Sequence, residues 1–258
     1  MPNNFSRGCL IAAFDNENHI YFDMAVNAAD RVVKYLNIPV TIITDRIDGD
    51  SGEHKRIIVE KPGNNWRSND GKDYTWRNLI RTQLYDLSPY NRTLVIDSDY
   101  FICTPNLQPH LNCSKDFIMT KTVYSPVNYK NEIFKIGNTQ IDMYWATVCI
   151  FNKCEESYRI FEMAKHIQQH YLYYSEIYGY HRVPIRNDFI FSVALHLMGG
   201  YGMKDYGFKN YPLINCDAQM YYDKFADNKL VYRYINDKLY ANSISGVDLH
   251  LMNKDQLQ

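Results

Sequence analysis

Apolar positions along the chain follow two rhythms. Gly8 to Phe14 is an unbroken apolar run of buried-strand length, and Asp15 and Asn16 then turn the chain. From Tyr21 to Leu36 the apolar residues Phe22, Ala25, Val26, Ala29, Val32, Val33 and Leu36 recur every three or four positions, which predicts one face of a helix. Pro39 to Thr44 is a second strand that stops at Asp45, and Arg56 to Val59 a short third. Asn64 to Asp73 is polar and glycine-containing and reads as a loop. Thr75 to Leu87 reads as a helix with Leu79, Ile80, Leu84 and Leu87 on one stripe, ended by Ser88 and Pro89. Thr93 to Ile96 is the next strand and Asp116 to Thr120 another. Tyr124 to Gln140 reads as a polar, mobile loop, Asp142 to Phe151 as a strand and Glu155 to Tyr173 as a helix. Arg186 to Met198 is a last helix, stopped by Gly199 and Gly200. Lys229 to Tyr240 alternates in the manner of a hairpin.

Strands alternating with helices predict an α/β layer around a mainly parallel sheet. Ligands of such sheets bind beyond the carboxyl ends of the strands. Phe14 and Asp15, Asp45, and Asp97 and Asp99 all fall at such ends. The chain shows no repeat, low-complexity tract or domain linker, so residues 1–258 read as one domain.

The 258 residues, 22% of them charged, suffice for a full core. A formal net charge of -1 gives no global attraction to nucleic acid or anionic membrane. Arg67, Lys72, Arg77 and Arg81 lie close together, but Asp70 and Asp73 interrupt them, which suits a solvated helix face better than a DNA groove. The six cysteines lack a C-x-x-C pair and read as free thiols. The start Met1 to Arg7 is polar and Gly8 to Phe14 is too short to cross a bilayer, so a cytoplasmic protein without a transmembrane segment is expected. The 23 tyrosines include a C-terminal group that either lines a stacking site or simply packs.

The chemistry gathers at Asp97, Ser98 and Asp99. Two carboxylates at the end of a buried strand can converge on one hard divalent cation, Mg²⁺ or Mn²⁺, whose shell phosphate oxygens would complete. Aspartates also end strands and open turns without any ligand.

The strand Cys9 to Phe14, a helix, the strand Val40 to Asp45, and the segment Arg81 to Asp99 with its helix, Ser88-Pro89-Tyr90 turn and D-x-D strand together resemble the GT-A fold glycosyltransferases. The chain is most similar to the glycogenin-like and lipopolysaccharide galactosyltransferase-like branch, over roughly residues 8–105. The resemblance implies a GT-A-type, Rossmann-like sheet flanked by helices, with a donor-binding part at about 1–120 and an acceptor part at about 121–258. It implies a nucleotide-sugar donor, UDP-sugar favoured, with Asp97 and Asp99 holding Mn²⁺ or Mg²⁺ on the diphosphate beside Ser98. The donor base would lie near Ala12, Phe14, Asp15 and Asp45, and Arg77 and Arg81 would reach a phosphate. His250 would complete the metal shell and Lys254 bind phosphate, although the His-to-Lys spacing is shorter than the family's and its glycine and proline are missing. Asp188 matches the aspartate that lies near the sugar, with Phe189 in place of the family's glutamine. Trp145 would form an apolar floor for a sugar or sit in the core.

The expected function is metal-dependent transfer of a sugar, with retention of configuration, to an unidentified acceptor: a glycan, a lipid saccharide, a protein or a modified DNA base. The alternatives are a non-catalytic nucleotide-sugar-binding module and a phosphohydrolase of the haloacid dehalogenase kind, in which the first aspartate would be the nucleophile.

Overall fold

The computed structural model describes residues 6–17, 20–63, 65–69, 72–180, 184–217, 220–226, 228–236 and 238–256. Met1 to Phe5, Asp70 and the side chains of Arg67, Lys72 and Asp73, on which sequence expectations fell, lie outside the described residues. Six strands form the central sheet: β1 (Arg7–Ala12), β2 (Val40–Thr44), β3 (Lys55–Ile58), β4 (Arg92–Ile96), β5 (Phe117–Thr120) and β6 (Trp145–Asn152). Their order is β3-β2-β1-β4-β6-β5. The pairs β3-β2, β2-β1 and β1-β4 are parallel, and β6 runs antiparallel to both its neighbours.

Alternation along the strands builds two cores. Cys9, Ile11, Leu94 and Ile96 face helix α1 (Tyr21–Leu36), which lays Phe22, Ala25, Ala29 and Val32 on the sheet. Leu10, Val95 and Cys149 face the other way, onto Ile160, Phe161 and Ala164 of α2 (Glu155–Gln169) and Phe191 of α4 (Asn187–Met198). The shorter α3 (Tyr171–Tyr178) follows α2. A second sheet joins Lys130–Ile133, Thr122–Ser125, Leu213–Cys216, Leu249–Leu251 and Tyr100–Phe101 in that order. This sheet carries the end of the chain back to the residues that follow β4.

Several expectations need correction, among them the single helix read over Glu155 to Tyr173, which breaks at His170 into α2 and α3, and the strand read over Asp142 to Phe151, which divides into Ile141–Asp142 and Trp145–Asn152. The segment read as a loop at Asn64 to Asp73 contributes to an antiparallel pair, Asn65–Asn69 with Lys72–Trp76. The helix expected over Thr75 to Leu87 shrinks to a 3₁₀ turn Leu79–Gln83 and one α-turn Leu84–Leu87. Tyr124 to Gln140 is partly paired, through Thr122–Ser125 with Lys130–Ile133 and through Lys135–Ile136 with Ile141–Asp142. The late hairpin is a three-stranded antiparallel sheet, Tyr221–Ala226, Lys229–Ile235 and Leu239–Ser245. All six cysteines are free, and no helix among the described residues is long and apolar enough to cross a membrane.

Candidate active site

Beyond the carboxyl end of β4 lies a cavity of about 180 Å³. Its wall brings together Ala12, Phe14, Arg77, Arg81, Asp97, Ser98, Asp99, Trp145, Asp188, His250 and Lys254, all singled out from sequence. Asp15 and Asp45 are not in that wall. The carboxylate of Asp15 accepts the Phe22 N–H at 2.9 Å and pairs with Arg46, so it anchors the start of α1. Asp45 pairs with Lys61 at 3.5 Å. The wall also holds Tyr21, Asn78, Ala146, Thr147, Arg186, Asn187 and Met252, which were not assigned a role from sequence. Asn78 and Asn187 adjoin predicted residues in the chain, and that adjacency was the one available signal. The C-terminal tyrosines do not line the cavity: Tyr232, Tyr234 and Tyr240 stack on one another in the core under the three-stranded sheet.

The acidic pair owes its position to the end of β4. Asp97 N–H donates to the Thr147 carbonyl of β6, and Tyr100 N–H donates back to the Asp97 carbonyl, closing a turn. Tyr100 and Phe101 then pair with His250 and Leu249 in antiparallel register, and Leu251 N–H donates to the Asp99 carbonyl at 2.9 Å. That pairing is what sets His250 beside Asp99. One nitrogen of His250, Nδ1, contacts Asn215 Oδ1 at 2.7 Å, and the other, Nε2, lies 3.5 Å from Asp99 Oδ1. Ligand atoms of Asp97, Asp99 and His250 all lie within 4.8 Å of one another.

Two cations balance the two acids. Lys254 Nζ sits 2.9 Å from Asp99 Oδ2, with both side chains under 10% exposed. Burial by itself pushes the Asp99 carboxyl up, but Lys254 and His250 outweigh it and hold the group well below the usual carboxylate range. Burial likewise pushes Lys254 down, and Asp99 and Tyr21 reverse that and leave it above its ordinary value. Arg81 is buried, donates to the Ala146 carbonyl at 2.5 Å and pairs with Asp97 Oδ1. Burial lowers its pKa, opposed by Cys149, Asp188 and Asp99. Arg81 is therefore neither a solvated surface charge nor a free phosphate hook. Arg77 donates to the Asp15 carbonyl, which bridges the approach to the 3₁₀ turn and the end of β1. Across the cavity Asp188, in the first turn of α4, accepts the Ala146 N–H through Oδ1 at 2.9 Å and Arg186 through Oδ2 at 2.9 Å. Its carboxylate is held in one orientation by partners on both oxygens.

The donor set fits a divalent cation. Two carboxylates and an imidazole nitrogen converge, and Asn215 on Nδ1 leaves Nε2 facing Asp99, the arrangement by which an outer partner orients a ligating histidine. Two oxygens and one nitrogen suit Mn²⁺ more readily than Mg²⁺, which takes oxygen almost alone. Once a dication joins, Arg81 and Lys254 leave this end of the cavity positive, which suits a diphosphate.

The mainly parallel sheet, the helices on both faces and the acidic strand end that opens into a cleft make an α/β fold with a ligand cleft beyond the carboxyl ends of its strands. No protein-family model matches the chain, and no curated protein matches it. Among solved structures the chain is similar to the galactosyltransferase LgtC in complex with donor and acceptor sugar analogs. The identity is 16%, over 81% of this chain and 75% of that chain, at a TM-score of 0.49. It is similar to the glycosyltransferase GlyE of Streptococcus pneumoniae TIGR4 at 12% identity, covering 80% of this chain and 45% of that chain, TM-score 0.44. The chain thus spans under half the length of GlyE. It is similar to the bifunctional IspDF of Campylobacter jejuni at 10% identity, covering 80% of this chain and 50% of that chain, TM-score 0.40. Likeness at this distance concerns the course of the main chain and says nothing of what the chain binds.

Proposed function

We propose that the protein is a metal-dependent glycosyltransferase that moves a sugar from a nucleotide sugar, a UDP-sugar in the favoured case, to a separate acceptor. The observation that carries this reading is the convergence of Asp97, Asp99 and His250 in one cleft with Lys254 at their side and Asp188 in the same wall. Asp97, Asp99 and His250 would hold Mn²⁺ or Mg²⁺. When bound, the cation supplies Lewis-acid stabilisation of the charge that develops on the departing diphosphate. Lys254 and Arg81 add fixed positive charge at that end and need no reorganisation to do so. Ala12 and Phe14, at the end of β1, offer an apolar surface for the donor base. Asp188 is oriented to accept hydroxyls of the transferred sugar or to face its reacting carbon. Among the described residues of the wall the only carboxylates are Asp97, Asp99 and Asp188, and all three are engaged. No spare base for an acceptor hydroxyl stands there, which favours retention. Residues from both halves of the chain line the cavity, in keeping with one domain whose donor part is about 1–120.

The position of Asp97, after β1, β2 and β3 in the chain, speaks against the haloacid dehalogenase reading, in which the D-x-D closes an early strand. Thermal shift with a panel of nucleotide sugars, with and without Mn²⁺, tests the proposal. Stabilisation by a UDP-sugar should require the metal and vanish in Asp97→Ala and Asp99→Ala. Equal, metal-independent stabilisation in both variants would overturn it. Slow donor hydrolysis with Mn²⁺ distinguishes the enzyme from a binding module.

A further inference from the structure

The three-stranded sheet near the end of the chain runs in the order Tyr221–Ala226, Lys229–Ile235, Leu239–Ser245, so its first and last strands are edges. An edge strand offers unpaired N–H and C=O groups to any other chain, and proteins blunt such edges with charge, bulges, cover or brevity. The edges of the two larger sheets are blunted. Lys55–Ile58 carries Lys55 and Arg56, and Lys130–Ile133 carries Lys130 and Glu132. Tyr100–Phe101 is only two residues long. Phe117–Thr120 is covered where the Met119 N–H donates to the Tyr206 carbonyl at 2.9 Å. Within the three-stranded sheet, Tyr221–Ala226 carries Asp223 and Lys224 and bulges between Tyr222 and Lys224. Leu239–Ser245 has none of these devices. It runs for seven residues without charge, proline or bulge.

The ladder fixes which of its main-chain groups face outward. At the two ends of its pairing with Lys229–Ile235, Gly246 N–H donates to the Asn228 carbonyl and Asn236 N–H to the Lys238 carbonyl, both at 3.2 Å. Bonded and non-bonded pairs alternate along an antiparallel ladder. Tyr240, Asn242 and Ile244 therefore bond to the neighbouring strand, and Leu239, Ala241, Ser243 and Ser245 aim their N–H and C=O groups away from it. In keeping with this, Ser243 N–H takes the side-chain Oδ1 of Asn242 at 2.8 Å. The side chains of Tyr240, Asn242 and Ile244 are half-buried on the inner face, and those of Ala241, Ser243 and Ser245 are exposed on the outer one.

We infer that Leu239–Ser245 pairs antiparallel with the same strand of a second copy of this chain, about a twofold axis at Asn242. Ala241 then faces Ser243 of the second copy and Leu239 faces Ser245, so the outward main-chain groups meet one another. On the inner face Tyr240 meets Ile244, an aromatic and β-branched pair of the kind that stabilises sheets. Self-pairing brings no like charges together, because the strand has none. Assembly stops at two copies, since the opposite edge of the sheet is charged and bulged. A seven-residue pairing is smaller than a standard interface, so the dimer is a weak one. None of these residues lines the cavity, and the inference is independent of what the cavity binds.

Sedimentation velocity on the full chain, over a concentration series through the micromolar range, should show a monomer–dimer equilibrium. Ser243→Pro deletes an outward N–H and leaves the internal ladder whole, so it should weaken the dimer about tenfold at an unchanged thermal midpoint. Two double variants test the register. Arg233 opposes Ala241 within the chain, so an acid at 241 meets no repulsion there. Ala241→Glu with Ser243→Glu sets acid against acid across the twofold axis and should weaken the dimer about tenfold, whereas Ala241→Glu with Ser243→Lys sets acid against base and should keep or tighten it. A dimer indifferent to all three variants uses another surface, and a chain that stays monomeric throughout does not pair with itself. Either result overturns the inference, as does equal weakening in both double variants.

Discussion

The ammonium of Lys254 meets Asp99 Oδ2 at 2.9 Å in a spot nearly closed to solvent, where the pairing of Leu249 and His250 with Phe101 and Tyr100 brings two distant stretches of the chain together. A buried pair gains little over an apolar replacement of both partners, but removal of one partner leaves the other charge stranded. Lys254→Met should therefore cost roughly 3–5 kcal/mol of stability, measured by urea denaturation. Added Mn²⁺ should recover more stability in the variant than in the wild type, because the cation then supplies the missing positive charge. Equal gains in both proteins would show that no cation binds at Asp99.

His250 depends on Asn215 for its orientation. The Nδ1 contact at 2.7 Å and the parallel pairing of Asn215 with His250 fix both the ring and its main chain. Loss of an outer partner of this kind typically weakens metal binding by about 10–100-fold. Asn215→Ala should raise the Mn²⁺ dissociation constant by at least about tenfold, read by electron paramagnetic resonance of free Mn²⁺, while the circular dichroism spectrum stays that of the wild type. Unchanged Mn²⁺ affinity would remove His250 from the metal site.

The end of the chain is latched by Asp248. Its Oδ1 accepts the N–H groups of Cys103 and Thr104 and the Thr104 hydroxyl, at 2.7, 2.9 and 2.9 Å, and its Oδ2 accepts the Tyr211 hydroxyl at 2.5 Å. Tyr211 in turn contacts Tyr100 at 2.6 Å. Asp248→Ala strands these donors and should cost about 3–5 kcal/mol, whereas Asp248→Asn keeps an acceptor toward residues 103 and 104 and should cost about 1–2 kcal/mol. In the alanine variant, hydrogen exchange at Leu249 to Leu251 should rise together with that at Tyr100 and Phe101. Exchange that rises evenly over the whole chain would mean that Asp248 is no local latch.

How far the fold was legible varies with the range of the forces that shape each part. The extent of α1 and the core of β1, β2 and β4 follow from local periodicity, because each buries a face that its own residues define. Leu79, Ile80, Leu84 and Leu87 show a helical stripe, yet two short turns satisfy the same spacing. The Asn65–Trp76 hairpin and the pairing of Thr122–Ser125 with Lys130–Ile133 carry polar residues, so no hydrophobic alternation announced them. The acidic pair is contiguous and could be read directly. His250 and Lys254 reach it only through a two-residue pairing with Tyr100 and Phe101, which no local pattern encodes. Arg81 read either as a phosphate ligand or as surface charge, because its partners, Asp97 and the Ala146 carbonyl, come from separate parts of the chain.

Lys121 links the acidic residues behind α4. It lies 2.7 Å from Asp142 Oδ2 and 3.3 Å from Asp205 Oδ1, and Tyr144, the residue before Trp145, donates its hydroxyl to that same Asp205 oxygen at 3.1 Å. Burial pushes the Asp142 carboxyl up, but Lys121 and Lys135 outweigh it and leave the group below its ordinary value. Burial also raises Asp205, and the Gly207 N–H and Lys121 reverse that. A carboxyl whose pKa is lower in the folded state binds fewer protons there than in the unfolded chain. Its contribution to stability is thus complete above the unfolded value of about 3.9 and is lost as the pH falls through the folded value. Lys121→Met removes the cause of part of this shift. The stability gap between wild type and variant should be widest at neutral pH and narrow steadily on acidification below about pH 4, as measured by urea denaturation across that range. A gap that keeps its size down to the acid limit would mean that Lys121 stabilises by packing on Tyr144, whose ring centroid lies 5.7 Å from its ammonium, and not by charge.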